Sequence, residues 1–301
     1  MKAEYVSNEK LGDFIAFCAN HRHKVDESFL YDEDLKNFQP DNENPAYVIT
    51  DQNGNVNAAA SLIMDDYHRR GKNGRFRIFY SEIEDPAYYQ ELLNAIKNHT
   101  SELEQAFVFI PLEQETEMKL AEEINFTVER YSYLLVRDDL GVPNVSLPAD
   151  YEIRPFRPGS DEEVWCKIRN KGFANLKGSE TPITAEMVSK MISASSYLEG
   201  GMKILYHKEK PVGIVRGAKD EFEDSPIMNI GPLAILPEYQ GKGLGRNLLR
   251  AALQFAKEKS YDRTILCVNA DNEGAKALYL QEGFKQVHGV ACYVYNFNGD
   301  Q

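Results

Sequence analysis

The feature that most narrows what this chain can fold into is one junction. It reads Pro232-Leu233-Ala234-Ile235-Leu236-Pro237-Glu238-Tyr239-Gln240-Gly241-Lys242-Gly243-Leu244-Gly245. An apolar strand ends at Pro237, turns, and enters a helix through three glycines. The helix, expected over residues 243–259, carries Leu244, Leu248, Leu249, Ala252 and Phe255 on one face. Glycine lets backbone N–H groups approach a ligand without a Cβ in the way, and a helix N-terminus adds roughly half a positive charge. Together they form a cradle for a pyrophosphate, with Lys242, Arg246 and Gln240 at hand.

Three phosphate-binding arrangements use such a turn. A dinucleotide fingerprint needs Gly-x-Gly-x-x-Gly, but position 246 is Arg, and no acid ends a strand about twenty residues on. A P-loop needs Ser or Thr after Gly-Lys, whereas Gly243 follows Lys242. The spacing Gln240-x-x-Gly243-x-Gly245 resembles the Q/R-x-x-G-x-G/A signature of the GNAT superfamily of N-acetyltransferases. A second block, from Asn272 to Phe284, resembles that superfamily's N-x-x-A-x-x-x-Y-x-x-x-G-F segment. There Asn272 is expected to cap a helix carrying Ala275 and Tyr279 on one face, and Gly283 to end it. The resemblance covers residues 151–297 well and the first half only in outline.

The resemblance implies an α/β (α+β) fold class: two tandem GNAT-like domains, each a mixed, mostly antiparallel twisted sheet flanked by helices. It implies acetyl-CoA as cofactor. Leu233, Ala234 and Ile235 would lie on a splayed strand whose free backbone groups pair with pantetheine. Gln240, Gly241, Lys242, Gly243, Leu244 and Gly245, with Arg246, would hold the pyrophosphate. Asn272 would reach the thioester end, and Ala275 is small enough to admit the pantetheine arm. The implied reaction is direct attack of a neutral amine on the acetyl thioester, aided by a base and by an acid that protonates the thiolate. Tyr279 matches the acid position. Where many members place a Glu, five residues before Ala234, this chain has Asn229. An amide cannot accept a proton at neutral pH, though it orients a water. Glu221, Glu223 and Asp224 precede that strand as other acceptors, so the base stays open.

Composition sets the surroundings. The chain has 301 residues, a natural length for two domains, and 43% hydrophobic residues. No stretch approaches the roughly eighteen apolar residues of a membrane span, and the first residues lack a signal-peptide core. Cys18, Cys166, Cys267 and Cys292 lie far apart and the histidines are scattered. That pattern points to reduced thiols, a cytoplasmic protein and no metal site. A net charge of −13 argues against nucleic-acid binding. The charge is uneven: residues 1–150 carry 14 Lys and Arg against 28 Asp and Glu, whereas residues 151–301 carry 20 against 19. An anionic ligand is therefore expected in the second half. The acidic first half suits a small, cationic amine acceptor, with the protein a monomer or homodimer.

Residues 138–148 read as a linker, dividing a domain over 1–140 from one over 151–301, with 141–150 between. The first half repeats the second at a local offset of 158 residues, its Asn125-Phe126 falling on Gly283-Phe284, with the helix before them slipping by one or two residues. At that offset Gln240, Gly243 and Gly245 become Glu82, Asp85 and Ala87, and Tyr279 becomes Ala121. Carboxylates facing a pyrophosphate repel it, so the first domain is expected to keep the fold without binding CoA. The arrangement, with one degenerate copy, is similar to that of the mycothiol synthase family. A non-catalytic acyl-CoA-binding sensor or scaffold, and a protein or peptide N-acetyltransferase, are the alternative functions.

Overall fold

A computed structural model describes residues 2–139, 141–223 and 225–299. Leu140 and Gln301, the expected domain ends, and Asp224 lie outside the described residues. The chain divides into two compact units, one of residues 1–132 with 288–301 and one of residues 133–287.

The first unit begins with β1 (Glu4–Tyr5), α1 (Leu11–His21), α2 (Asp32–Lys36), β2 (Ala46–Thr50) and β3 (Val56–Ile63). It continues with α3 (Asp66–Arg70), β4 (Asn73–Ser81), α4 (Pro86–Lys97), β5 (Gln105–Pro111) and α5 (Glu115–Glu123). Strand β6 (Thr127–Arg137) runs on into the second unit. There follow β7 (Tyr151–Pro155), α6 (Glu162–Gly172), α7 (Ala185–Ser193), β8 (Tyr197–His207), β9 (Lys210–Phe222) and β10 (Ser225–Ile235). Helix α8 (Leu244–Glu258), β11 (Thr264–Asn269), α9 (Glu273–Gln281) and β12 (Lys285–Asn296) complete the chain.

Strands of the first unit lie in the order β1-β2-β3-β4-β5-β12, and those of the second in the order β6-β11-β10-β9-β8-β7. Each sheet is mixed and mostly antiparallel, with one parallel pair in its interior: β4 with β5, and β10 with β11. The apolar face foreseen for α8 is buried at Leu244, Leu248, Leu249, Ala252 and Phe255. In the first unit Leu92, Leu93 and Ile96 of α4 do the same work against Leu62 and Phe126.

The division differs from the expected one at both ends. The terminal strand, expected to close the second domain, belongs mostly to the first unit. Residues Val290–Asn296 pair antiparallel with β5, and Ala291, Tyr293 and Tyr295, alternating along the strand, face the first unit's core. Conversely, the end of β6 belongs to the second unit, where Leu134 and Val136 pack with Phe222, Ile227 and Ile265. Turn-forming residues mark a break between strands, but which unit a strand joins leaves no local mark.

The 158-residue offset holds closely. It carries α5 onto α9 at both ends, the start of β6 onto that of β12, and the residue capping α4 onto the one capping α8. The strand-to-helix loops differ in length, with three residues (82–84) before the cap in the first unit and seven (236–242) in the second.

Tyr293 is 2% exposed, and its hydroxyl donates to Glu122 at 2.9 Å. We expect Tyr293→Ala to destabilise the first unit by about 3–5 kcal/mol. Denaturant unfolding checks this, and a loss below about 1 kcal/mol would show that β12 is dispensable to that core.

Candidate active site

The site is built on a strand that loses one partner. Strand β10 stays paired with β9 to its end, where Leu233, Ala234 and Ile235 face Val215, Ile214 and Gly213. Its pairing with β11 stops at Asn229 opposite Ile265. A bulge follows between Ile230 and Leu233, at Pro232, whose ring nitrogen has no proton to donate to a ladder. From there the β11 side of β10 is open.

That opening leads into a cavity of about 850 Å³. Leu233, Ala234 and Ile235 line it from the strand. Gln240, Gly241, Gly243, Leu244, Gly245 and Arg246 line it from the turn and the start of α8, and Asn272 and Ala275 from α9. Lys242 does not line it; its ammonium donates to the Glu238 carbonyl and lies 5.0 Å from the Tyr239 ring centroid. Residues with no earlier signal supply another wall: Lys171, Phe173, Asn175 and Lys177 from the end of α6 and the segment after it, and Asn269 from β11.

The turn's shape depends on glycine. Gly241 and Gly243 hold φ of +74° and +73°, in the left-handed region, and a Cβ at either would meet no atom within 4 Å. Gly243 is the N-cap of α8, so no side chain caps the helix and its first N–H groups stay available beside the cavity. Gln240 turns inward instead, donating from Nε2 to the Ile235 carbonyl at 3.0 Å. The amide braces the loop against the strand.

Arg246 is held by a carboxylate. Glu282, 4% exposed, accepts from Arg246 at 2.6 Å and from Arg250 at 2.8 Å. The Arg250 guanidinium, then that of Arg246, hold the Glu282 pKa below its usual range against the opposing effect of burial. Arg246 and Arg250 are one helical turn apart, the local signal in the sequence for a shared carboxylate partner such as Glu282. On α9, Asn272 accepts from the Ala275 N–H at 3.2 Å, capping the helix as expected.

The two catalytic candidates stand outside the cavity lining. Tyr279 is buried, with its ring 6.0 Å from that of Phe284, and burial pushes its pKa up to about 12. Asn229 donates from Nδ2 to Asp220 Oδ2 at 2.7 Å. Of the alternative acceptors, Glu221 is exposed and Glu223 pairs with Arg263 at 3.0 Å.

Residues 175–284 match the model of the Acetyltransferase (GNAT) family. That segment of the chain is similar to a GNAT domain. Among relatives, mycothiol acetyltransferase of Kocuria rhizophila is 29% identical over 190 residues, 60% of this chain and 62% of that protein. Mycothiol acetyltransferase of Acidothermus cellulolyticus is 28% identical over 178 residues, 55% of this chain and 54% of that protein. The chain thus matches about half to three fifths of the length of these relatives. A GCN5-related N-acetyltransferase from Sphaerobacter thermophilus superposes with a TM-score of 0.73 at 16% identity, covering 98% of this chain and 95% of that one. A tandem GNAT protein from the clavulanic acid biosynthesis pathway gives 0.68 at 14% identity, covering 98% of both. At such identities the likeness speaks for the fold, and it extends over both halves.

The Glu282 pair predicts a pH signature. Its folded pKa is depressed, so its stabilising effect is present above the unfolded value of about 4.3 and is lost as pH falls through the folded one. Glu282→Gln should cost about 1–3 kcal/mol at neutral pH, and its deficit relative to the native chain should shrink in acid. Denaturant melts across that range test this; a deficit independent of pH would sink it.

Proposed function

We propose that this chain is an acetyl-CoA-dependent N-acetyltransferase that transfers the acetyl group directly to a primary amine of a small molecule. The observation that carries this reading is the meeting, in one cavity, of an uncapped helix start behind a glycine turn and a strand with an open edge. The helix start suits a pyrophosphate, and the open edge suits the amides of a pantetheine arm. Acetyl-CoA carries both groups in one molecule. The GNAT family match, and relatives named as mycothiol acetyltransferases, support the same donor.

In this reading the free N–H groups of α8 and the Arg246 guanidinium hold the pyrophosphate. Leu233–Ile235 align the pantetheine, and Ala275 leaves it room. Tyr279, protonated far above neutral pH, serves as a hydrogen-bond donor to the departing thiolate. A thiol is acidic enough to leave with modest help, so losing this donor slows the reaction without abolishing it. The acidic first half favours a cationic acceptor.

The first unit, in the same reading, binds no CoA. Its equivalent helix α4 is capped by Asp85, which accepts the Ala87 N–H at 2.9 Å, and opens with Pro86. Strand β4 parts from β5 after Arg75, but Tyr89 sits near the end of the open stretch and accepts the Ser81 N–H at 3.3 Å. A carboxylate occupies the place where a phosphate would need donors.

Calorimetry should show one acetyl-CoA bound per chain. Gly243→Asp should weaken that binding about a hundredfold or more through charge repulsion, while the left-handed φ there lowers stability by about 1–2 kcal/mol and leaves the chain folded. Two bound molecules, or retained affinity in the variant, would overturn the assignment. Release of free CoA thiol over a panel of primary amines tests turnover, and binding with no turnover on any amine would favour a non-catalytic acyl-CoA sensor. On an amine that reacts, Tyr279→Phe should lower kcat by about tenfold to a hundredfold with a smaller change in the acetyl-CoA KM.

A further inference from the structure

The position five residues before Ala234 offers no proton acceptor, but the neighbouring strand does. Asn229 is the last β10 residue paired with β11. Across the antiparallel pair it faces Ala218, which puts Asp220 at the diagonal position on the same side of the sheet. The Asn229 amide holds one Asp220 oxygen at 2.7 Å, and the Glu221 N–H holds the other at 2.9 Å. Both donors are neutral, and a carboxylate has about four lone-pair positions, so Asp220 keeps capacity for a further partner.

Two more observations place this pair at the mouth of the opening and give it a neighbour. Asn229 Oδ1 lies 3.9 Å from where a Cβ on Gly231 would sit, and Gly231 is in the bulge through which β10 leaves β11. Two residues along β11 from Ile265, on the same side, Cys267 is exposed. On β9 itself Arg216 shares the face of Asp220. Burial draws the Arg216 pKa down while the Asp220 charge opposes the shift. Its Nη2 donates to Ser196 Oγ at 3.3 Å, and its buried Nε–H has no partner among the described residues. Buried donors are seldom left unpaired, and one beside a half-exposed carboxylate marks a place where a ligand oxygen would complete the set. The groups opposite Asp220 on β10, Ile227 and Asn229, are uncharged, and Lys219 and Glu221, beside it in sequence, are exposed.

We infer that Asp220 meets the acceptor amine and takes its proton, with Asn229 as its positioning residue and the Arg216 Nε–H donating to an oxygen of the acceptor. The acceptor class is then a primary amine with a hydroxyl or carbonyl oxygen beside it, such as an amino sugar or amino alcohol, rather than a plain alkyl polyamine. This rests on the acetyltransferase reading above. One ammonium proton passes to Asp220 and on to water, and the freed nitrogen pair forms the C–N bond. As the C–S bond breaks, sulphur keeps its electron pair and takes the second proton that the nitrogen sheds.

The test uses two probes, coenzyme A alkylated on sulphur with a 2-aminoethyl arm or with an ethyl arm, titrated calorimetrically into the full chain. The aminoethyl probe should bind the native protein about tenfold more tightly than the ethyl probe, the ratio expected of one added ion pair. Asp220→Asn should bring the ratio to about one, and Asp220→Glu should restore part of it, with ethyl-probe affinity equal in all three. A preference that survives Asp220→Asn, or none in the native protein, overturns the inference. Failure of both probes to bind overturns the cofactor reading as well and is recognisable as that. On an amine that turns over, Asp220→Asn should lower kcat about a hundredfold or more with a smaller change in the acetyl-CoA KM, and an unaltered kcat would return Asp220 to a structural role.

Discussion

Between Gly231 and Ile235 a strand in the middle of a sheet keeps one partner and lacks the other. Unpaired backbone groups inside a protein are costly, so a fold that leaves a row of them beside a cavity holds a place for something that pairs with them. Much of the site follows from that parting. It opens the volume between β10 and β11 and directs β10 toward the glycine turn. It also leaves Asn229, the last paired residue, at the edge of the gap. The turn then meets the gap at the bare N-terminus of α8, where backbone donors and the macrodipole act together.

Each unit contains this parting, and the two differ at the residue that caps the following helix. Gly243 and Asp85 are both N-caps, 158 residues apart. Glycine at the cap leaves the helix N–H groups unengaged, whereas aspartate satisfies one and sets a negative charge among the rest. A four-residue difference in loop length and the proline after Asp85 add to the contrast. In the proposed reading, the cap residue, the loop length and the proline together separate a cradle for an anion from a closed, self-satisfied turn.

Around the cavity, the charges are managed by pairing. Glu282 is buried by the same α9 terminus that Gly283 ends, and it fixes Arg246 and Arg250 along one side of α8. Gln240 is spent on the Ile235 carbonyl, so its contribution is to the loop's shape. Such bracing matters for the proposed phosphate site, because backbone donors serve an anion only if the backbone is held still.

The sequence by itself determined the elements and the turn. Glycine at positive φ, the asparagine cap at Asn272 and the amphipathic period of α8 are local matters, each dictated by residues close in the chain. So was the loss of glycines in the first half, which points to a degenerate copy. Tertiary structure decided what depends on pairing between distant segments. That β12 joins the first unit's core and the end of β6 the second's is such a matter, since alternation along a strand does not say which core it faces. The wall from Lys171 to Lys177 carries no periodic or motif signal, because a loop lines a cavity through where it is held and not through what it repeats. Asp220 lies one residue before Glu221 in a run of carboxylates, and only the register of β9 against β10 shows that it is the one beside Asn229. A strand's period of two sends adjacent side chains to opposite faces, so one residue of register is the difference between a group in the site and one in solvent.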